Sequence, residues 1–235
     1  MRRRSKKNPW RNTRNDFKMP WNRIYGVMVI IAVPVMLVTL VPNLVLRSGT
    51  FYSYFLSKTG IVKEIPYAIE MEDVRDTFRN FMWHRMSGFN LMEKEGYMPQ
   101  QVFTSSDNVI MGFMRTSADI MAVIGIIALI LFLVAAIRLY INKKNDFLYD
   151  KFKISLIVAA VFTAVNSIII FVPEIRTGIF RGYFGNRFPP GDVLIQIFDA
   201  GFPVYYAGGV IVVTIVAGAG LIYLMKKFVG SRNLF

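Results

Sequence analysis

Four long apolar segments dominate this sequence: residues 24–46, 121–141, 154–172 and 204–225. Each has about 19–23 residues, and an α-helix that rises 1.5 Å per residue needs roughly 20 to cross a hydrocarbon layer. Only helices or closed barrels satisfy their backbone groups in lipid, and none of these segments alternates like a barrel strand. The predicted fold class is therefore an all-α membrane protein with four transmembrane helices.

The flanking charges predict how these helices are oriented. A basic tail, residues 1–23, has nine Lys and Arg against one Asp, the 142–153 loop together with Arg138 carries +3, and the 226–235 tail also carries +3. Because the whole chain carries +13, the two remaining loops sum to −1: residues 47–120 and 173–203. Short basic segments stay in the cytoplasm. We therefore predict a multi-pass plasma-membrane protein with both termini cytoplasmic and an extracytoplasmic cap formed by the two loops.

Composition narrows the function classes further. With 54% hydrophobic residues and a mean hydropathy of +0.42, the chain is too apolar for an ordinary soluble domain. It has no cysteine, which excludes disulfides and thiolate chemistry. The first apolar segment is too long for a signal-peptide core, so we interpret it as an uncleaved anchor. We expect no cofactor and no metal.

The basic tail indicates which partners to expect. Trp10 and Trp21 lie among its Lys and Arg residues, a composition that suits anionic lipid at the headgroup level. Interleaved basic and aromatic residues also occur in nucleic-acid or ribosome contacts, but no folded RNA-binding motif is present, which disfavours that class. The expected partners are membrane lipids and at least one other membrane protein.

Residues 71–86, within the first long loop, have the periodicity of an amphipathic helix. The apolar positions on its single face are Met71, Val74, Phe78, Phe81, Met82 and Met86. We expect this helix to lie on the membrane surface or to cap the bundle. His84, the only histidine, falls off the apolar face and is the one side chain that normally titrates near neutral pH.

Small and polar residues inside the apolar segments predict how the helices pack. We expect Asn166, at mid-depth, to form an interhelical hydrogen bond. Four glycines in the last segment should let a neighbouring backbone approach closely: Gly208, Gly209, Gly218 and Gly220. No charged residue lies centrally in any segment, which disfavours ion pumps and proton-coupled carriers.

Five short segments outside the apolar runs carry a resemblance to a known family. They are Phe51-Tyr52, Thr59-Gly60-Ile61, Glu72-Asp73-Val74, Phe103-Thr104-Ser105-Ser106-Asp107-Asn108 and Phe188-Pro189-Pro190-Gly191-Asp192-Val193-Leu194-Ile195. In order and spacing, over about residues 25–227, the chain resembles the lipoprotein intramolecular transacylase (Lit-like) family of four-helix bacterial membrane proteins. The resemblance implies a scaffold that moves the sn-2 acyl chain of a diacylglyceryl lipoprotein to the α-amino group of its N-terminal cysteine.

Two outer-loop histidines carry the chemistry of that family, and neither is present here. The resemblance places the first at Gly112, or at Ile110 with the spacing of other members. It places the second at Arg176 or Arg181. Arg, Gly and Ile do not act as bases at neutral pH. The resemblance therefore implies a divergent member, and we assign no catalytic residue.

Three functions remain open from the sequence. The first is a non-catalytic accessory or structural subunit of a membrane complex, or a lipid- or lipoprotein-binding protein with Arg176, Arg181 or Arg187 contacting a phosphate. The second is an acyl-transfer enzyme that uses other residues, with His84 beside Asp107 or Asp192. The third is a channel or transporter component.

Overall fold

The computed structural model describes residues 21–93, 100–172 and 192–229, and within these ranges the fold is helical. Seven α-helices and one 3₁₀ turn follow each other along the chain: α1 (Trp21–Leu46), α2 (Gly49–Thr59), the 3₁₀ turn (Ile61–Lys63), α3 (Met71–Met82), α4 (Ser105–Ile141), α5 (Asn145–Phe171), α6 (Val193–Asp199) and α7 (Phe202–Val229). Between α3 and α4 a single antiparallel bridge joins Met92 to Gln101.

The four predicted transmembrane segments are confirmed as helices. α1, α4, α5 and α7 are each long and apolar enough to cross a membrane. All four begin before their apolar segments, and the difference is largest for α4, at Ser105, and α5, at Asn145. The early start of α4 has a local cause, because the side chains of Thr104 and Asp107 cap its first turn reciprocally.

The core of the bundle lies around α1, which packs against α4, α5 and α7. One cluster of buried side chains fills the half of the bundle that contains the start of α1 and the end of α4: Val29, Ala32, Val33, Met36, Leu37, Val41, Ala128, Phe132, Ala135, Leu139, Leu148, Phe152, Ala159 and Met225. Small residues on α4, such as Ala128 and Ala135, let α1 approach closely. Gly125 contributes in the same way, because a Cβ there would meet Leu40 and Thr39 at 2.5 Å.

A second core holds the cap, which we define as α2, α3, α6 and the segments that join them. It is aromatic, with fully or almost fully buried rings at Phe51, Tyr52, Phe55, Phe78, Phe81, Phe89, Phe103, Phe198 and Phe202. Many of these rings meet edge to face, such as Phe78 on Phe89 with centroids 4.9 Å apart. The cap therefore has its own hydrophobic core, continuous with the end of α1 and the start of α7.

Two cap helices differ from the sequence prediction. α2 was not predicted, yet Ser48 caps its first turn and Gly60, with φ +66°, ends it. α3 ends at Met82 rather than at residue 86, because His84 takes a left-handed conformation with φ +57°. Residues 193–202 form α6 and the start of α7, and α6 is buried in the cap core.

Among the described residues, a buried asparagine that links two helices is Asn43. Asn43 is buried, and its side-chain amide donates to the backbone carbonyl of Ala118 on α4. Asn166 is exposed and donates to the carbonyl of Phe162, one turn earlier in its own helix, at 3.0 Å. An interhelical bond of Asn166 stays a prediction, whereas the bond of Asn43 ties α1 to α4 near the cap.

The four glycines of α7 do not share one role. A Cβ at Gly209 would lie 3.1 Å from Val45 on α1, so this glycine permits close packing inside the bundle. At Gly208, Gly218 and Gly220 no described atom lies within 4 Å. Close approach to these three by another helix remains a prediction.

The side of the membrane that the cap faces is a prediction from the charges, and cysteine labelling tests it. The chain has no cysteine, so Ser87→Cys in the cap and Lys144→Cys at the opposite end each create a single thiol at an exposed position. We expect an impermeant maleimide to label Ser87→Cys in intact cells and Lys144→Cys only after lysis. Labelling of Lys144→Cys in intact cells would show that the orientation is inverted.

Candidate functional site

Two of the family-like segments meet inside the cap at a pair of carboxylates. Asp107 is fully buried, Asp192 is 5% exposed, and the hydroxyl of Thr104 donates to Asp192 at 3.5 Å. Asp107 lies near the start of α4, before the apolar span, and Asp192 immediately precedes α6. The structure thus brings together residues that are 85 positions apart in the sequence.

Both carboxylates accept backbone N–H groups at the start of a helix, Asp107 from the first turn of α4 and Asp192 from the position before α6. Asp107 accepts the backbone N–H of Thr104 at 2.7 Å. Asp192 accepts the backbone N–H groups of Leu194 and Ile195 at 2.9 and 3.3 Å. Acceptors at these positions satisfy N–H groups that have no partner within the helix. The pair therefore has a structural role that is sufficient to explain its burial.

The environment of Asp107 changes its protonation. Burial raises the pKa of this carboxyl group to about 6, the negative charge of Asp192 adds to the increase, and the N–H of Thr104 opposes it. One of its oxygens, Oδ1, is buried without a hydrogen-bond partner among the described residues. A proton on that oxygen relieves the repulsion between the two carboxyl groups.

Asp107→Asn should change how stability depends on pH. The folded-state pKa of about 6 lies above the unfolded value of 3.8, so wild-type stability is lost as the pH rises from about 4 to 6. Two pKa units correspond to about 3 kcal/mol, and the neutral amide avoids this loss. We expect thermal unfolding in detergent to show the variant gaining stability over wild type across that window. Parallel pH profiles for the two proteins would contradict the shifted pKa.

A second polar group lies where α1 ends and the cap begins. His84 Nε2 is 2.8 Å from Asp119 Oδ2, and the other oxygen of Asp119 accepts from the guanidinium of Arg47. The indole N–H of Trp83 donates to the carbonyl of Arg47 at 2.9 Å. The guanidinium also lies 5.2 Å from the centre of the Trp83 ring. These contacts hold Trp83 and His84, which directly follow α3, against the end of α1 and against α4.

This arrangement is able to support proton transfer. A carboxylate bonded to one ring nitrogen of a histidine fixes the orientation of the ring and leaves the other nitrogen available as a base. The imidazole is about half exposed, at 53%. The sequence hypothesis placed His84 beside Asp107 or Asp192, and this is wrong, because the structure pairs it with Asp119.

Arg47 and Asp119 were not predicted as site residues, although both lie at the ends of apolar segments. Arg47 is the first residue after the apolar segment 24–46, and Asp119 lies two residues before the segment 121–141. Charges at the ends of two adjacent spans lie at similar depth when the helices are antiparallel neighbours. α1 and α4 are such neighbours.

The residues at the predicted family positions have no acid–base function. Ile110 is 5% exposed and belongs to the cap core, and a Cβ added at Gly112 would have no described atom within 4 Å. Arg176, Arg181 and Arg187, predicted to contact lipid phosphate, lie outside the described residues. In the part of the chain that the structure describes, no three His, Asp or Glu residues cluster as metal ligands.

Four apolar helices and an aromatic cap at one end define a polytopic membrane protein of the capped four-helix class. No protein-family model matches the sequence, and no curated protein sequence does. The fold nevertheless matches solved structures of the membrane-integral lipoprotein intramolecular transacylase Lit from Bacillus cereus. One of them superposes with a TM-score of 0.67 at 14% identity, over 90% of this chain and 97% of the other.

Two structures of Lit variants from the same organism give the same result. In one a histidine is replaced by alanine, with a TM-score of 0.67, 11% identity and coverage of 91% and 96%. In the other the histidine is replaced by arginine, with a TM-score of 0.65, 13% identity and coverage of 90% and 93%. The transacylase-like fold expected from the sequence is therefore confirmed, and identities this low show the fold alone.

Proposed function

We propose that the protein is a non-catalytic membrane subunit built on the transacylase-like scaffold. The residues at the predicted positions of the family histidines support this, since Ile110 packs in the cap core and Gly112 has no side chain. The buried carboxylates of Asp107 and Asp192 have a structural role, because they accept backbone N–H groups at the starts of α4 and α6. A scaffold that keeps its fold without the two family histidines suits binding or assembly within the membrane.

The observation that carries the assembly role is the open surface of α7. Only 6% of the most apolar stretch of this helix is buried in the chain, against 44% for α1. On this surface Gly218 and Gly220 leave space where a helix facing lipid alone would normally present larger side chains. A helix of another membrane protein packing there would bury small residues at close range.

Gly218→Leu tests this surface with little risk to the fold. No described atom lies within 4 Å of the added Cβ, so we expect the variant to fold and to lose its partner because the leucine blocks close approach. Association should weaken by about tenfold or more, which is about 1.4 kcal/mol. The measurement is the fraction of chain recovered in complexes after crosslinking in native membranes and extraction in mild detergent.

Gly112→Leu is the matched control for this substitution. It makes the same change at another open glycine, on α4 instead of α7, and should leave association unchanged. Equal losses in both variants would point to a general effect of the bulky side chain. A wild-type protein that is monodisperse, single-chain and fully stable without other proteins would overturn the assembly role.

A second candidate function is acyl transfer, and the contact between His84 and Asp119 favours it. The imidazole is half exposed at the membrane end of the cap, and Asp119 orients it as a base. An amine nucleophile must lose its proton before or during attack on an ester, which a histidine in this position would assist. This function competes directly with the non-catalytic role.

One assay separates the two candidates. A reporter lipoprotein is expressed with this chain in a host that lacks other N-acylating enzymes, and its N-terminal peptide is analysed by mass spectrometry. The non-catalytic role predicts a free N-terminal amine. An N-acylated lyso product that disappears in His84→Ala, but persists in a variant of the exposed Arg85, would establish His84-dependent transfer instead.

A further inference from the structure

A polar cleft of about 490 Å³ opens between the start of α2 and the exposed side of α3. Its lining consists of three arginines, two hydroxyl residues and one glycine: Arg47, Arg75, Arg79, Thr50, Ser53 and Gly49. No carboxylate lines it among the described residues. Guanidinium groups and hydroxyls can each donate hydrogen bonds to an anion. The side chains that line this concave site therefore favour an anionic ligand.

The three arginines differ in how far their charges are already compensated. Arg75 binds both oxygens of Asp76, at 2.8 and 3.1 Å, and Arg47 is paired with Asp119. Arg79 has no ion pair within 4 Å among the described residues. Nε of Arg47 is buried and has no hydrogen-bond partner there. Among the described residues Arg79 is therefore the least compensated of the three guanidinium groups, since only a longer-range attraction to Asp76 acts on it.

The first turn of α2 adds further donors to the same space. Backbone N–H groups at a helix start have no intrahelical partner and carry partial positive charge, which attracts anions. Gly49 lets the Arg79 side chain pack against this turn, because a Cβ there would lie 2.9 Å from Cδ of Arg79. Ser57 and Thr59, further along α2, bond to its backbone carbonyls. No such bond occupies the hydroxyls of Thr50 and Ser53 in the described structure.

The cleft lies at the level where the chain leaves the membrane. Arg47 directly follows α1, one of the four apolar spans. Trp83, which bonds to the carbonyl of Arg47, is 47% exposed, and tryptophan with its N–H satisfied is enriched at the lipid headgroup level. The phosphates of lipid headgroups lie at this depth.

We propose that this cleft binds the phosphate group of an anionic phospholipid. Arg79 contacts the phosphate oxygens, Arg47 and Arg75 add positive charge to the lining, and the first turn of α2 with Thr50 and Ser53 completes the site. The proposed site is independent of the proposed assembly through α7.

Lipid binding to the purified full-length chain tests the proposal. Native mass spectrometry in detergent is carried out with added phosphatidylglycerol, with phosphatidylcholine and with inorganic phosphate. We expect phosphatidylglycerol to bind best, and Arg79→Gln to weaken its binding by about tenfold, since a charge-assisted hydrogen bond is lost. Arg79→Lys should recover only part of the affinity, because it keeps the charge without the fork of donors.

Arg85→Gln is the matched control, since Arg85 is an exposed arginine just after α3 and does not line the cleft. It should leave phosphatidylglycerol binding unchanged. An equal loss in Arg79→Gln and Arg85→Gln would overturn the proposal in favour of general surface attraction. Equal affinity for phosphatidylglycerol and phosphatidylcholine would overturn it too, as would binding of inorganic phosphate without lipid. If Arg79→Gln lowers the melting temperature, Thr50→Val together with Ser53→Ala repeats the test without removing a charge.

Discussion

The ion pair between Arg47 and Asp119 fixes how the cap sits on the bundle. It joins the end of α1 to α4, and it lies next to the buried hydrogen bond from Asn43 to Ala118. Its guanidinium packs on Trp83 and its carboxylate holds His84. At the edge of a membrane such a pair is only partly screened by water, so removal of either partner would leave a half-buried charge. The Arg47–Asp119 ion pair therefore sets both the register of α1 against α4 and the position of the residues that directly follow α3.

Aromatic packing replaces covalent staples in the cap. The chain has no cysteine, so ring contacts such as Phe51 on Phe202 and Phe89 on Phe103, at 5.6 and 4.3 Å between centroids, hold α2, α3 and α7 together. Buried rings contribute large apolar areas and a preferred relative geometry. This packing places the arginine cleft and the carboxylate pair on one rigid unit.

The sequence predicts the spans well and the cap only in part, for physical reasons. A transmembrane helix is recognised from the length of one apolar run, which is a local property of the sequence. All four transmembrane helices were predicted in this way. α2 is marked by Ser48 and Gly60, yet its aromatic-rich interior lacks a clear helical stripe. The partner of His84 is 35 residues away, and only the tertiary structure brings Asp119, on α4, to the segment that follows α3. The carboxylate pair depends likewise on a contact across 85 positions.

α4 has a mechanical consequence because it is a single continuous helix of 37 residues. At 1.5 Å per residue it is about 55 Å long, whereas a hydrocarbon layer is about 30 Å thick. The same rod bears Asp107 in its first turn, Asp119 about 21 Å from its start and Arg138 near its last turn. A tilt of about 5° about one end of such a rod would displace the other end by roughly 5 Å. A rearrangement of the cap that tilted α4 would therefore also move the end of α4 that bears Arg138.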